Sequence, residues 1–174
     1  MRLARLDKVA SIDALMKSSI SDLFPHYYSA EQTASAVEYV GVADQMLIAD
    51  GTYFVVEADT QLVACGGWSR RDRLYTGSGA AAGDSRRLDP ATEPARVRAM
   101  FTRADWTRRG LGTRILEACE SAAKAEGFRT LALMATLPGF ELYAHYGFAA
   151  GEHAEVTLPD GVTLACVPMH KTVD

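Results

Sequence analysis

The chain has 174 residues, 48% of them hydrophobic and 23% charged, with a formal net charge of -4. That size suffices to bury more than half of the unfolded surface, so residues 1–174 read as one domain, and the acidic balance excludes broad nucleic-acid binding, which needs an extended basic face. No stretch reaches the roughly 20 apolar residues of a membrane span, and with no export or lipidation signal the chain is read as cytoplasmic.

Met1 to Leu6 reads as a short strand. From Asp7 to Leu23 the residues Val9, Ile12, Leu15, Met16 and Ile20 recur at helical spacing, with Asp7 as N-cap and Pro25 closing the segment. Ser29 and Gln32 carry the pattern of a capping box for a second helix, running to about Tyr39. In TYFVVEADTQLVACGGWS the β-branched and aromatic residues on either side of Asp59-Thr60 predict a hairpin. Arg70 to Pro94 is polar and rich in Gly, Ala, Asp and Pro, a length that marks a functional or disordered loop. Its GSGAAA, Gly77 to Ala82, spells a dinucleotide fingerprint without the preceding strand and following helix that such a turn requires.

ARVRAMFT, Ala95 to Thr102, alternates Arg96, Arg98 and Met100 on one face with Val97, Ala99 and Phe101 on the other, as a strand does. An amphipathic helix follows, with Leu111, Ile115, Ala118, Cys119 and Ala122 on its apolar side and Gly127 as its C′ residue. FRTLALMAT is the next strand, and the helix between the two acts as a crossover that makes them parallel neighbours. Pro138 opens a short helix through GFELYAHY that Gly147 terminates, and EVTLPDGVTLACVPMHK reads as a closing hairpin turning at Asp160-Gly161. Cys65, Cys119 and Cys166 form no C-x-x-C pair and read as buried free thiols. The four histidines lack zinc spacing, so no metal is expected, and Glu141 and His145 read as a surface pair.

DWTRRGLGTRIL, Asp105 to Leu116, sets Arg108, Arg109 and Arg114 around two glycines at the start of that crossover helix. The first amides of a helix have no intrahelical partner, and its dipole makes this end positive. Adding cations there inverts what helix stability favours and points to a bound anion; glycines let a phosphate approach the backbone, so a pyrophosphate is the natural occupant. A solvated basic turn is the alternative, and the missing Gly-Lys-Ser/Thr ending excludes a Walker A loop.

The order of strand, WTRRGLGTRIL, crossover helix, apolar strand and LYAHYGF resembles the GNAT superfamily of acyl-CoA-dependent N-acetyltransferases over nearly the whole chain. The family's Gln/Arg-x-x-Gly-x-Gly/Ala turn corresponds to Thr107 through Gly112, with Thr107 where Gln or Arg is usual and Ala104 where Pro is common. The resemblance implies an α/β (α+β) fold with a mixed central sheet, two parallel strands that splay apart, and flanking helices. It implies acetyl-CoA (CoA) as cofactor, held by main-chain groups of Met100, Phe101 and Thr102 and by Thr107, Arg108, Arg109, Gly110, Leu111, Gly112 and Thr113. It also implies Tyr143 as the acid that protonates the departing thiolate, a task suited to a phenol that stays neutral at pH 7, while Tyr146 reads as a core aromatic.

The reaction so implied is direct attack of an amine on the acetyl thioester, with an N–H of the Met100 to Thr102 strand stabilising the developing oxyanion. ARVRAMFT contains no carboxylate to act as base, and His26, Glu93 and Asp50 are the candidates elsewhere. His26 and Tyr27, with Tyr28, fall in the segment that resembles the substrate-facing part of such folds. The arginines of the Arg70 to Pro94 loop, among them Arg70, Arg71, Arg73, Arg86 and Arg87, would suit an acidic acceptor or lie in solvent. A small-molecule amine is the expected acceptor, ahead of a protein amino group, and a homodimer through an exposed strand edge is open. A non-catalytic acyl-CoA sensor and another kind of nucleotide-binding domain are the competing readings.

Overall fold

The computed structural model describes residues 1–72 and 86–173. In chain order its elements are β1 (Arg2–Leu3), α1 (Val9–Leu23), α2 (Ala30–Tyr39), α3 (Gln45–Ala49), β2 (Tyr53–Ala58), β3 (Gln61–Ser69), β4 (Ala95–Thr102), α4 (Leu111–Ala125), β5 (Thr130–Thr136), α5 (Phe140–His145), β6 (Ala149–Ala150), β7 (Ala154–Thr157) and β8 (Thr163–Thr172). The strands form one mixed sheet in the order β1-β2-β3-β4-β5-β8-β6, with β7 also paired to β8. Every neighbouring pair is antiparallel except β4 and β5, which run parallel because α4 crosses over between them. Among the described residues no helix is long and apolar enough to cross a membrane.

Local chemistry explains most boundaries. Ser29 Oγ accepts from the Gln32 amide at 3.1 Å while the Gln32 side chain accepts from the Ser29 amide at 3.0 Å, the reciprocal capping box of α2. The β2–β3 hairpin turns at Asp59 and Thr60, both at positive φ, and the last hairpin turns at Asp160-Gly161. At the end of α4 the Phe128 amide donates to Ala123 and the Gly127 amide to Lys124, a Schellman motif with Gly127 at C′. Phe128 therefore closes a helix and β5 begins at Thr130, later than FRTLALMAT suggests.

The N-terminal expectations need two corrections. β1 covers only Arg2–Leu3, and a 3-10 turn spans Leu6–Lys8 before α1 starts at Val9. Asp7 does not cap α1: it lies inside that turn, its carboxylate takes the Arg5 guanidinium at 2.9 Å, and Lys8 at the N-cap supplies no side-chain cap. The sequence reading also lacks α3, a single turn capped by Asp44, whose Oδ1 accepts from Met46 at 2.9 Å.

The sheet has helices on both faces. Ile115, Leu116, Cys119 and Ala123 of α4 pack with Val97, Leu131, Leu133 and Ala135 on one side. On the other, Ile12, Leu15 and Met16 of α1 and Leu47 and Ile48 of α3 pack with Tyr53, Val55 and Cys65. Further along that second face, Ile20, Phe24, Tyr28 and Ala36 meet Val156, Leu158, Leu164 and Cys166. All three cysteines are buried and free, and desolvation pushes the Cys65 thiol up to about 12 and the Cys166 thiol up to about 11.

Candidate active site

The site begins where β4 stops behaving as a regular strand. Its register against β3 shifts between Cys65 and Gly67, and opposite that shift Ala99 has a φ of 52°, so β4 carries a bulge. The expected alternation therefore breaks. Val97 and Met100 both face α4, while Arg98 reaches Asp44 on the α3 side and Ala99 and Phe101 join the core on that same side. An extra residue inverts the parity of everything after it.

Two glycines of β3 accommodate the bulge. A Cβ at Gly66 would overlap Met100 Sδ, and one at Gly67 would lie 2.7 Å from Tyr53 Cδ2. The buried Tyr53 ring passes beneath the sheet there, and its hydroxyl donates to the Ala99 carbonyl at 2.8 Å. Arg98 and Asp44 form an ion pair at 2.9 Å with side chains 2% and 7% exposed, fixing α3 against the same stretch of β4. On the far side of the bulge Ser19 of α1 donates to the Thr102 carbonyl at 2.9 Å.

Pairing between β4 and β5 is confined to Ala95 with Leu131 and Arg96 with Ala132; beyond that the two strands diverge. The Arg103 amide donates to Val63 at 3.0 Å and Phe101 pairs with Cys65, so residues 101 and 103 turn their peptide groups towards β3. By the alternation of an antiparallel ladder, the Met100 carbonyl and the Thr102 peptide groups turn into the gap. A cavity of about 510 Å³ fills this gap, and Met100, Phe101, Thr102, Thr107, Arg108, Gly110, Leu111, Gly112, Thr113 and Tyr143 all line it.

At one end lies the turn into α4. Arg108 and Gly110 both hold left-handed conformations, with φ of 61° and 75°, and Gly110 is the N-cap without any side-chain cap. The Arg114 amide is the one that returns to the Gly110 carbonyl, at 3.1 Å, so the amides of Leu111, Gly112 and Thr113 precede the helical ladder. Alternating left- and right-handed residues turn successive N–H groups to one side, a concavity suited to an anion. Gly112 serves a different purpose: a Cβ there would lie 2.6 Å from Leu142 Cδ2, so it lets α5 pack on the first turn of α4.

Two side chains of this turn are engaged elsewhere than the motif alone suggests. Thr107 lines it, but its hydroxyl donates to the Ala104 carbonyl at 2.9 Å and closes the 3-10 turn Ala104–Trp106. Arg109 is absent from the lining, with its guanidinium 4.4 Å from the centre of the Trp106 ring and donating to the Asp105 carbonyl.

Tyr143 is held by a second Schellman motif. The Phe148 amide donates to the Tyr143 carbonyl at 3.0 Å and the Gly147 amide to Ala144 at 3.1 Å, and the Phe148 ring meets Tyr143 edge-on at 6.0 Å. A Cβ at Gly139 would come within 2.9 Å of the Tyr143 ring, so that glycine gives the phenol its seat. Burial pushes the Tyr143 phenol well above its ordinary range and keeps it protonated. Tyr146 lies elsewhere, under the Lys171 ammonium at 4.2 Å and beside Glu120.

The opposite end is formed by residues that carry no motif. Ser19, Leu23 and Phe24 reach it from α1 and the following turn, Val40 from the end of α2, Met134 from β5, and Val156, Leu158, Leu164 and Cys166 from the last hairpin. His26 and Tyr27 are exposed and not part of the lining, and Tyr28 is buried, with its hydroxyl accepting from the Leu137 amide and donating to the Ala165 carbonyl. The other base candidates are also elsewhere: Asp50 pairs with Arg71 at 2.7 Å and Glu93 with Arg86 at 2.7 Å. Arg70 pairs with Glu126, so the loop arginines named here meet internal carboxylates. Arg73 and the GSGAAA segment lie outside the described residues.

The sequence pattern of the acetyltransferase (GNAT) family matches residues 16–148. None of the curated proteins matches the chain by sequence. Among solved structures, a GCN5-related N-acetyltransferase from Rhodopseudomonas palustris is similar with a TM-score of 0.72 and 22% identity, over 99% of this chain and 94% of that one. The PaiA N-acetyltransferase of Thermoplasma acidophilum, solved with coenzyme A, gives a TM-score of 0.67 and 14% identity over 99% and 97% of the two chains. A ribosomal-protein-alanine N-acetyltransferase from Brucella melitensis gives 0.62 and 14% over 99% and 98%. These likenesses are of fold; with the match over residues 16–148, a splayed β4–β5 pair and an amide-lined turn at the start of α4, the chain belongs to the GNAT family of acetyltransferases.

Proposed function

We propose that the protein, acting as a single unit over residues 1–174, transfers an acetyl group from acetyl-CoA to the amine of a small molecule. The observation that carries this reading is the continuity of one cavity from the amide-lined α4 turn, through the β4–β5 gap, to Tyr143. The donor set suits CoA: exposed amides and Arg108 for a pyrophosphate, and the Met100 carbonyl and Thr102 peptide groups for an extended amide-bearing arm. Acetyl-CoA supplies an acyl carbon activated by a thiol leaving group. The amine nitrogen bonds to that carbon as the C–S bond breaks. The Met100 N–H is the donor this reading assigns to charge on the carbonyl oxygen, and the buried phenol of Tyr143 gives its proton to the sulfur. The proton released by the new amide passes to solvent, from which the phenol is restored.

The test is calorimetric titration with acetyl-CoA, CoA and ADP, followed by turnover with amines. Gly110→Glu should abolish binding of CoA and acetyl-CoA, because it sets a carboxylate and a side chain at a left-handed position beside the amides. Tyr143→Phe should lower kcat at least tenfold with CoA affinity held within about twofold. Unchanged kcat removes Tyr143 from the reaction, and CoA binding without turnover of any amine, in either form, returns a sensor instead.

A further inference from the structure

The two ends of the cavity differ in chemistry. Among the described residues that line it, those with ionisable side chains other than tyrosine and cysteine are Arg98, Arg108, Glu141 and His145. Arg108 belongs to the α4 turn, and Glu141 and His145 lie on α5, whose Leu142 packs on Gly112 of that turn. Arg98 is matched by Asp44. The end bounded by α1, the close of α2 and the last hairpin is lined by Leu23, Phe24, Val40, Leu158, Leu164 and Cys166, and among the described residues it has no carboxylate, cation or histidine. The Ser19 hydroxyl there gives its proton to the Thr102 carbonyl, which leaves it only as an acceptor.

This rests on the acetyl-transfer reading, under which the α4 turn takes the cofactor's phosphates and the apolar end receives the acceptor. We infer that the acceptor is a primary amine on an apolar body, aromatic or branched-alkyl, and neither a polyamine nor an amino acid. A second ammonium would meet no counter-charge among the described residues of that wall, and a carboxylate no cation, so either would lose hydration uncompensated there. An apolar body releases water from Phe24, Val40, Leu158 and Leu164. It needs no polar anchor beyond the reacting nitrogen, as is usual for ligand cavities lined chiefly by hydrophobic side chains.

The experiment measures thiol release from acetyl-CoA with phenethylamine, isoamylamine, spermidine and lysine, alongside calorimetry with CoA and with octanoyl-CoA. It uses the full chain and the half-buried variants Leu23→Glu and Val40→Glu, each tested for cooperative melting. The expected result is a kcat/KM for the apolar amines at least tenfold above spermidine and lysine, and a preference that falls at least tenfold in one or both variants as the new carboxylate favours spermidine. CoA affinity should stay within about twofold, because neither position belongs to the α4 turn. Spermidine or lysine matching the apolar amines in the unmodified protein overturns the acceptor class while leaving acetyl transfer standing. Octanoyl-CoA binding tenfold more tightly than CoA, with that gain lost in Val40→Glu, gives the apolar end to the acyl chain and overturns the inference. CoA binding with no amine acetylated overturns acetyl transfer and the inference with it.

Discussion

Tyr53→Phe tests whether the β4 bulge sets the site. Tyr53 is 1% exposed, and its hydroxyl takes the Ala99 carbonyl at 2.8 Å where Ala99 itself has positive φ. Phenylalanine keeps the ring, which Gly67 holds in place, so no cavity opens. What changes is one half-buried carbonyl left without its donor, a loss of about 0.5–1.5 kcal/mol. The chain can escape that loss by relaxing the bulge, but a regular β4 would put Met100 and Arg98 on one face, so that either Met100 leaves α4 or Arg98 leaves Asp44. Urea denaturation should show the stability loss, and calorimetry should show CoA binding weakened by up to about tenfold if about 1.4 kcal/mol of it is spent on distorting the gap. Tyr28→Phe is the control, since it removes a buried hydroxyl between Leu137 and Ala165, outside the cavity lining and far along the sheet from the α4 turn. It should cost at least as much stability, because two groups lose a partner, and leave CoA affinity alone. A Tyr53→Phe protein with full stability, or one destabilised with CoA affinity intact, would refute the argument that this hydroxyl and this bulge shape the site.

Other outcomes follow from the same geometry. Gly147→Ala places a side chain at φ 98°, where its Cβ meets only Lys171 Cε at 3.6 Å, so the cost is conformational and about 1–2 kcal/mol; the melting temperature should fall, and kcat with it if the Schellman turn positions Tyr143. The Arg86 guanidinium beside Glu93 draws its carboxyl down from 4.5 to about 2. A depressed carboxyl stabilises the fold above its unfolded value and loses that contribution as pH falls through the folded one. The difference in melting temperature between the unmodified protein and Glu93→Gln, present at pH 6, should therefore shrink below pH 4.5 and go on shrinking towards pH 2. A difference independent of pH would mean that Glu93 acts through packing.

What was legible in the sequence was what short-range chemistry determines. Ser29 with Gln32, Asp160-Gly161, and the glycines before Phe128 and Phe148 each specify their turn within a few residues, and the structure contains those turns. The α4 turn was legible for the same reason, since its left-handed Gly110 and its cations are consecutive. Asp7 misled because its carboxylate had a nearer partner in Arg5, and α3 was missed because five residues hold too little periodicity to distinguish a helix. The apolar end of the cavity could not be read at all. Leu23, Val40, Leu158 and Leu164 look like ordinary core residues in their own segments, and only the folding together of α1, α2 and the last hairpin makes them a wall.

The bulge shows where that boundary lies. ARVRAMFT alternates well enough to predict a strand, and nothing within its eight residues says that Ala99 adopts positive φ. The signal sits some thirty residues earlier, in Gly66-Gly67, within a stretch that reads only as the second strand of a hairpin. One glycine vacates the volume that Met100 fills on the α4 side, and the other the volume that the Tyr53 ring fills on the opposite side. The same device recurs around the cavity, where Gly112 receives Leu142 and Gly139 receives Tyr143. Three of these four glycines receive a side chain that lines the cavity, so its walls are fixed by close contact from behind as much as by what they face. On that basis the Gly-Gly pair of β3, remote in sequence from every residue of the α4 turn, belongs to the machinery that holds the β4–β5 gap open.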